Sequence, residues 1–337
     1  MFAEARQQVR RRWRLPAVTF GAAALCSATI AAGAQNASPA TPTRSVTDEV
    51  GRRVVLPVTV NRIVSLAPNL TETIYALGLE DKLVGDTDYC DTPPAAKSKP
   101  HVGSVLSPNL EAIIALHPDL VLAAANTANR EETVASLDHL RIPTYASDPR
   151  TVNQMIESVA RIADVAGAGL EGRALATRLR ERLDTLKAKL ADVPLAHVLF
   201  VVWEDPLVTI GQNTFIADAL LRAGAESVIV SKQDWPQISI EEVVRLQPEY
   251  IVMPTTHGEA DDERSAEDQL KKMRERPVWR ALRAVQAGHV LTVSDEVIRP
   301  SPGLIDVIEQ LARRLHEDAF QKRDAAFSRK ECVSCAR

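Results

Sequence analysis

Aromatic residues make up only 4% of the 337-residue chain, so the position of each one carries information. Cysteine is scarcer still, with four in all, at Cys26, Cys90, Cys332 and Cys335. So few cannot staple a disulfide scaffold. Cys332 and Cys335 lie in a polar tail with no preceding strand and no second cysteine pair, which removes the usual grounds for a redox or zinc motif. None of the seven histidines pairs at helical or zinc spacing. There is no G-x-S-x-G nucleophile elbow and no phosphate loop. Carboxylates are scattered without a spacing that singles out an acid–base pair. These absences argue against an enzyme and against a resident metal or cofactor.

One hydrophobic run stands apart. Arg6, Arg10, Arg11, Arg12 and Arg14 precede an apolar stretch from Leu15 to about Ala32, and Ala32-Gly33-Ala34 follows. A basic region, an apolar region and small residues in that order read as an export signal over residues 1–34. The other reading is a retained membrane helix. Cleavage removes five arginines and one glutamate, taking the formal charge from −4 to −8. An acidic chain without basic stripes is a poor nucleic-acid partner. No later segment has the length to span a bilayer, so the exported protein is expected to be soluble in the periplasm.

The remainder contains a repeat. Leu110-Glu-Ala-Ile-Ile-Ala-Leu-His-Pro-Asp-Leu-Val-Leu122 and Ile240-Glu-Glu-Val-Val-Arg-Leu-Gln-Pro-Glu-Tyr-Ile-Val252 share one pattern. Each has a glutamate, a short amphipathic helix, Pro, an acidic residue and an apolar strand. Glu72 to Gly78 and Asp218 to Gly224 form a second pair, each after an apolar strand. Two similar lobes follow, with a ligand between them.

Strand and helix alternate in both halves, so the class is α/β with parallel sheets. Residues 35–150 form the first lobe, beginning with a flexible leader and a hairpin over 46–60 that turns at Gly51. Strands are expected at 62–66, 82–85, 120–123 and 144–146, and helices at 71–77, 109–116 and 130–140. Residues 151–193 carry no strand signal and read as two helices, 151–165 and a long one over 170–190. The second lobe spans 194–321, with strands at 198–203, 250–253 and 288–293 and helices at 214–223, 240–246 and 304–320. Residues 322–337 read as a disordered tail. A long helix between lobes is stiffer than loop hinges, so limited opening and closing is expected. Gly167-Ala-Gly-Leu-Glu-Gly172 matches the dinucleotide fingerprint, but a helix precedes it where a strand is required. Its glycines mark a break between helices. His257-Gly-Glu-Ala-Asp-Asp-Glu263 reads as a solvated loop.

Glu111 and Glu241 stand at the second positions of their helices, after the caps Asn109 and Ser239, the latter forming a capping box with Glu242. A first-turn glutamate favours its own helix by ~0.3–1 kcal/mol through the dipole. That accounts for each singly; as a matched pair of exposed carboxylates they also suit paired arginines on a partner. Tyr89, Trp203 and Trp235 fall at carboxyl ends of strands or at a helix entry, the edge that faces the ligand crevice in parallel sheets. Such aromatics suit a large flat ligand. Asp295 and Arg299 lie near the last strand, where an arginine either contacts the ligand or forms an ion pair.

Arg62-Ile-Val-Ser-Leu-Ala-Pro-Asn-Leu-Thr-Glu72, Val84-Gly85 with Asp88-Tyr-Cys-Asp-Thr-Pro-Pro94, and Asn109-Leu-Glu111 with Pro118-Asp-Leu-Val121 resemble the helical-backbone class (class III) of periplasmic binding proteins. These serve importers of cobalamin, ferric siderophores and haem, and the resemblance spans nearly all of 45–320. Trp235-Pro-Gln237, Ser239, Glu241 and Arg299-Pro-Ser-Pro302 resemble the cobalamin-binding branch in particular. The resemblance implies two Rossmann-like lobes with parallel sheets, bridged by a long α-helix, and a corrinoid held in a shallow cleft. It implies ligand contacts at Pro68, Asn69, Tyr89, Trp203, Trp235, Asp295 and Arg299. It further implies that Glu111 and Glu241 dock onto the permease subunits of an ABC transporter. Val105 and Ala124 depart from it, because cobalamin binders can carry cleft aromatics near those positions. The alternatives are a ferric-siderophore or haem binder, an exported metal-dependent enzyme or metal carrier, and an envelope interaction protein without a small ligand.

Overall fold

The computed structural model describes residues 42–125, 131–255 and 263–321. The leader, the segment around His257, and the Cys332/Cys335 tail lie outside them. The chain enters through an antiparallel hairpin, β1 (Thr43–Thr47) and β2 (Arg53–Pro57). Its turn closes on Asp48, whose carboxylate accepts from the Arg52 N–H and guanidinium, with Gly51 at φ +86°.

The first lobe follows as β3 (Ile63–Ser65), α1 (Pro68–Ala76), β4 (Leu83–Gly85), α2 (Leu110–Ala115), β5 (Leu120–Ala124), α3 (Glu131–His139) and β6 (Thr144–Ser147). Helices α4 (Val152–Ala166) and α5 (Gly169–Lys189) form the middle. The second lobe comprises β7 (Ala196–Phe200), a small hairpin of β8 (Trp203–Glu204) and β9 (Leu207–Val208), α6 (Phe215–Arg222), β10 (Ala225–Ser227), α7 (Ile240–Leu246), β11 (Tyr250–Pro254), α8 (Glu263–Glu275), α9 (Arg283–Ala287), β12 (Val290–Val293) and α10 (Leu304–Leu315). Both four-stranded sheets are parallel, ordered β4-β3-β5-β6 and β10-β7-β11-β12. Taken in order along the chain within each lobe, both read second-first-third-fourth, so the sequence repeat is a repeat of topology.

The repeated Pro-acid step has a local cause. His117 and Gln247, each just after its helix, adopt the same left-handed φ of +45°. The chain then turns through Pro118 or Pro248 so that the acidic side chain reaches the first strand of its lobe. Asp119 accepts from the Asn61 and Arg62 N–H groups at 2.8 and 3.0 Å, and Glu249 accepts from the His197 N–H at 3.0 Å. Each carboxylate thus pins the register of the two central strands.

Side chains alternate across both sheets, as a pleated strand requires. Ile63, Leu120, Leu122, Val198, Phe200 and Val252 join one apolar core that also takes in α1, α4, α5, α6 and α10. The opposite faces form separate cores: Val64, Val121 and Ala123 pack with Ile113 and Leu137, and Leu199, Ile251 and Met253 with Val243 and Trp279. The inner faces of the two sheets therefore share one interior through α4 and α5. Helix α5 contributes Leu175, Ala176, Leu179, Leu183 and Leu186, spaced three and four apart on one stripe.

The glycines of 167–172 are explained here. Gly167 ends α4 at φ +83°. A Cβ on Gly172 would lie 2.2 Å from the Ala163 Cβ, so its absence lets α5 approach α4.

Several expected boundaries shift. Helix α1 begins at Pro68, not Thr71, because proline fits the first helical position with its φ already set. Strand β10 and helix α8 lie in segments that showed no such signal, the first being too short and the second strongly polar. The final helix stops at Leu315, with one more helical turn over 317–321.

Replacing Gly172 with Val forces α4 and α5 apart, and is expected to lower stability by about 1–3 kcal/mol. Thermal melting read by circular dichroism checks this; an unchanged midpoint contradicts the close approach.

Candidate functional site

Each proposed ligand-contact residue follows the carboxyl end of a strand. Pro68 and Asn69 follow β3 and form the first turn of α1 rather than a loop, with Asn69 buried. Tyr89 follows β4, Trp203 follows β7, Trp235 follows β10, and Asp295 and Arg299 follow β12. An ion pair across the lobes joins α1 to the segment after β12. Arg299 Nη1 lies 3.3 Å from Glu72 Oε1 of α1, and Arg299 Nη2 lies 2.9 Å from Asp295 Oδ1. The crevice between two such edges is where open α/β folds bind ligands.

The three aromatics are exposed there: Tyr89 by 55%, Trp203 by 64% and Trp235 by 54%. The Tyr89 loop is anchored beneath by Cys90, whose buried Sγ lies 3.2 Å from both Thr71 Oγ1 and Thr87 Oγ1. Burial pushes that thiol up from its ordinary range, which makes it a packing group and not a reactive one.

Trp203 does not end β7, which stops at Phe200. It opens the β8–β9 hairpin around Asp205-Pro206, and its Nε1 donates to the Asp205 carbonyl at 2.8 Å. Val208, paired with Trp203, also bridges to Gln237, two residues beyond Trp235. The Trp235 loop is strapped down further by N–H groups of Thr209 and Gly211, which donate to the Pro236 and Asp234 carbonyls. Gly211 is required there, because a Cβ would lie 1.9 Å from the Gln233 carbonyl oxygen. Both tryptophans thus ride on one hydrogen-bonded ribbon. A groove of about 480 Å³ beside Trp203 is lined by Val201, Asp205, Met253 and Thr255 among others.

The sequence reading missed Glu72 as part of this site. It is 93% buried by side chain, and burial pushes it up to about 7 against the attraction of Arg299. Burial also raises Glu296 beside it. The repeat offered the clue, since Glu72 pairs with Asp218, and both carboxylates tie separate elements together. Asp218 Oδ2 accepts from the Val152 N–H at the start of α4. Val105 is half-buried and Ala124 buried, but Leu106 beside Val105 is exposed.

Glu111 and Glu241 are both exposed at the second positions of α2 and α7, whose caps Asn109 and Ser239 accept from the Ala112 and Glu242 N–H groups. Neither carboxylate makes an ion pair or hydrogen bond among the described residues, whereas Glu242 lies 3.6 Å from Arg245. The expected capping box is half made: Ser239 caps, and Glu242 faces Arg245.

A family model of the periplasmic binding proteins matches residues 63–297. The chain belongs to the periplasmic binding protein family. It is 32% identical over 202 residues to a vitamin B12-binding protein of Yersinia pestis (strain Pestoides F), covering 60% of this chain and 72% of that one. The crystal structure of the periplasmic vitamin B12 binding protein of Vibrio cholerae superposes with a TM-score of 0.65 at 28% identity, covering 77% of this chain and 98% of that one. A periplasmic heme binding protein from Pseudomonas aeruginosa has the same fold, with a TM-score of 0.66 at 24% identity, covering 77% and 93%.

Glu72 holds a proton in the folded state above its ordinary value of 4.5, so stability falls as pH rises from about 4.5 to about 7. Glu72→Gln removes this dependence. The melting temperature of the variant relative to the parent is expected to climb by about 2–4 °C across that window and level off above it. A constant difference from pH 4.5 to 8 contradicts the raised value.

Proposed function

We propose that this protein is an exported solute-binding protein of an ABC importer that captures cobalamin or a related corrinoid between its lobes. The observation that carries the reading is the placement of Tyr89, Trp203 and Trp235, each more than half exposed, after carboxyl ends of strands in the two lobes. The similarity to vitamin B12-binding proteins of Yersinia pestis and Vibrio cholerae supports the ligand class. A corrin is broad and flat, and exposed aromatic faces bury area against it at low conformational cost, because their loops are already pinned. The bound ring rests against Tyr89 on one side and the Trp203–Trp235 ribbon on the other. Asp295 and Arg299 lie below, with Pro68 and Asn69 at the start of α1. No covalent step is required, and no cofactor takes part.

Delivery needs a grip outside the cleft. Glu111 and Glu241 occupy matching exposed positions, one per lobe, with no internal partner among the described residues. They are suited to charge-assisted contacts with arginines of the permease subunits. The export reading places this encounter in the periplasm. A ferric siderophore or haem is the second reading, supported by the shared fold of the heme binding protein.

Calorimetric titration with cyanocobalamin, with a ferric siderophore and haemin as parallel ligands, is expected to give saturable one-to-one binding of cobalamin alone. Trp235→Ala is expected to weaken it by about tenfold or more. Binding of an iron ligand in its place overturns the corrinoid assignment. Combining Glu111→Ala with Glu241→Ala should abolish vesicle uptake while leaving the solution affinity intact. Loss of affinity in that double variant removes the docking role.

A further inference from the structure

The Glu72–Arg299 contact ties one lobe to the other directly, without passing through α4 and α5. Glu72 stands on α1 and Arg299 in the segment after β12. Both are nearly out of water, with side-chain exposures of 7% and 13%. The pair is poorly bonded for that depth. Glu72 Oε1 lies 3.3 Å from Arg299 Nη1 yet makes no hydrogen bond, and Arg299 Nε is also buried without an acceptor. Arg299 divides its charge as well, because Nη2 donates to Asp295 at 2.9 Å. Helix α1 carries no other charged residue. A buried carboxylate with incomplete hydrogen bonding gains either by taking up a proton or by returning to water.

Burial is the largest influence on Glu72. It outweighs the attraction of Arg299 and pushes the carboxyl up to about 7. Ser301, Glu296 and Asp295 of the same segment are the other groups around it, with smaller effects. A carboxyl raised by burial ionises more readily wherever water reaches it. By linkage, ionisation therefore favours arrangements in which α1 and the Arg299 segment stand further apart. The interior shared through α4 and α5 limits that movement. We propose that the Glu72–Arg299 contact is a proton-operated catch between the lobes, which holds the crevice at the spacing of this structure while Glu72 is protonated and lets it widen when Glu72 ionises.

Spin labels on Lys97→Cys in the first lobe and Lys232→Cys in the second, both exposed positions, read the spacing by double electron–electron resonance. Cys26→Ser, Cys332→Ser and Cys335→Ser remove competing thiols, and Cys90 is buried. Between about pH 5 and about pH 8.5 the ligand-free protein is expected to lengthen this distance by about 1–2 Å and to broaden its spread. Glu72→Gln stays neutral throughout and is expected to hold the short distance at every pH. Arg299→Gln removes the attraction that opposes burial, so its transition should move to higher pH, and it serves as the second variant should the first fold poorly. A parent distance that does not change with pH, or that shortens as pH rises, overturns the catch. So does a Glu72→Gln variant that follows the parent, or a transition unmoved in Arg299→Gln. No ligand is present, so the outcome is independent of the corrinoid reading, which the cyanocobalamin titration tests separately.

Discussion

The apolar interior shared by the inner faces of the two sheets is what everything else in this protein rests on. Strands β3 and β5 from one lobe and β7 and β11 from the other turn alternate side chains toward α4 and α5. Helices α1, α6 and α10 complete the cover of those faces. The α4–α5 pair in turn depends on Gly172 for its close approach. The helical block bridges the two lobes through this shared interior.

On that platform the chemistry is placed by loops that leave carboxyl ends of strands. Cys90 ties down the Tyr89 loop, and one hydrogen-bonded ribbon carries both Trp203 and Trp235. Exposed aromatic faces lose entropy when they are ordered by a ligand, and prior ordering by the fold reduces that cost. The Glu72–Arg299 contact is the polar counterpart of the shared core. It joins α1 of the first lobe to the segment after β12 of the second.

Much of this was legible because it depends on period and repetition. The 130-residue offset from Glu111 to Glu241 corresponds to two sheets of one strand order, and the pattern Pro-acid-apolar strand has a structural reason in Asp119 and Glu249. The end of β7, the start of α1 and the existence of β10 and α8 were not legible. A strand of three residues carries too little pattern, and α8 is polar enough to resemble a loop. The exposure of Tyr89, Trp203 and Trp235 was readable because loops after strand ends run over the surface. The pairing of Glu72 with Arg299 was not, since it joins residues 227 positions apart, and only the shared core brings them together.

A cleft whose walls share a core is expected to narrow only slightly around its contents. On the proposed importer reading, retention and hand-over draw on the same surface. A binding protein of this build is a shallow tray carried to a door, and tipping is the event that matters.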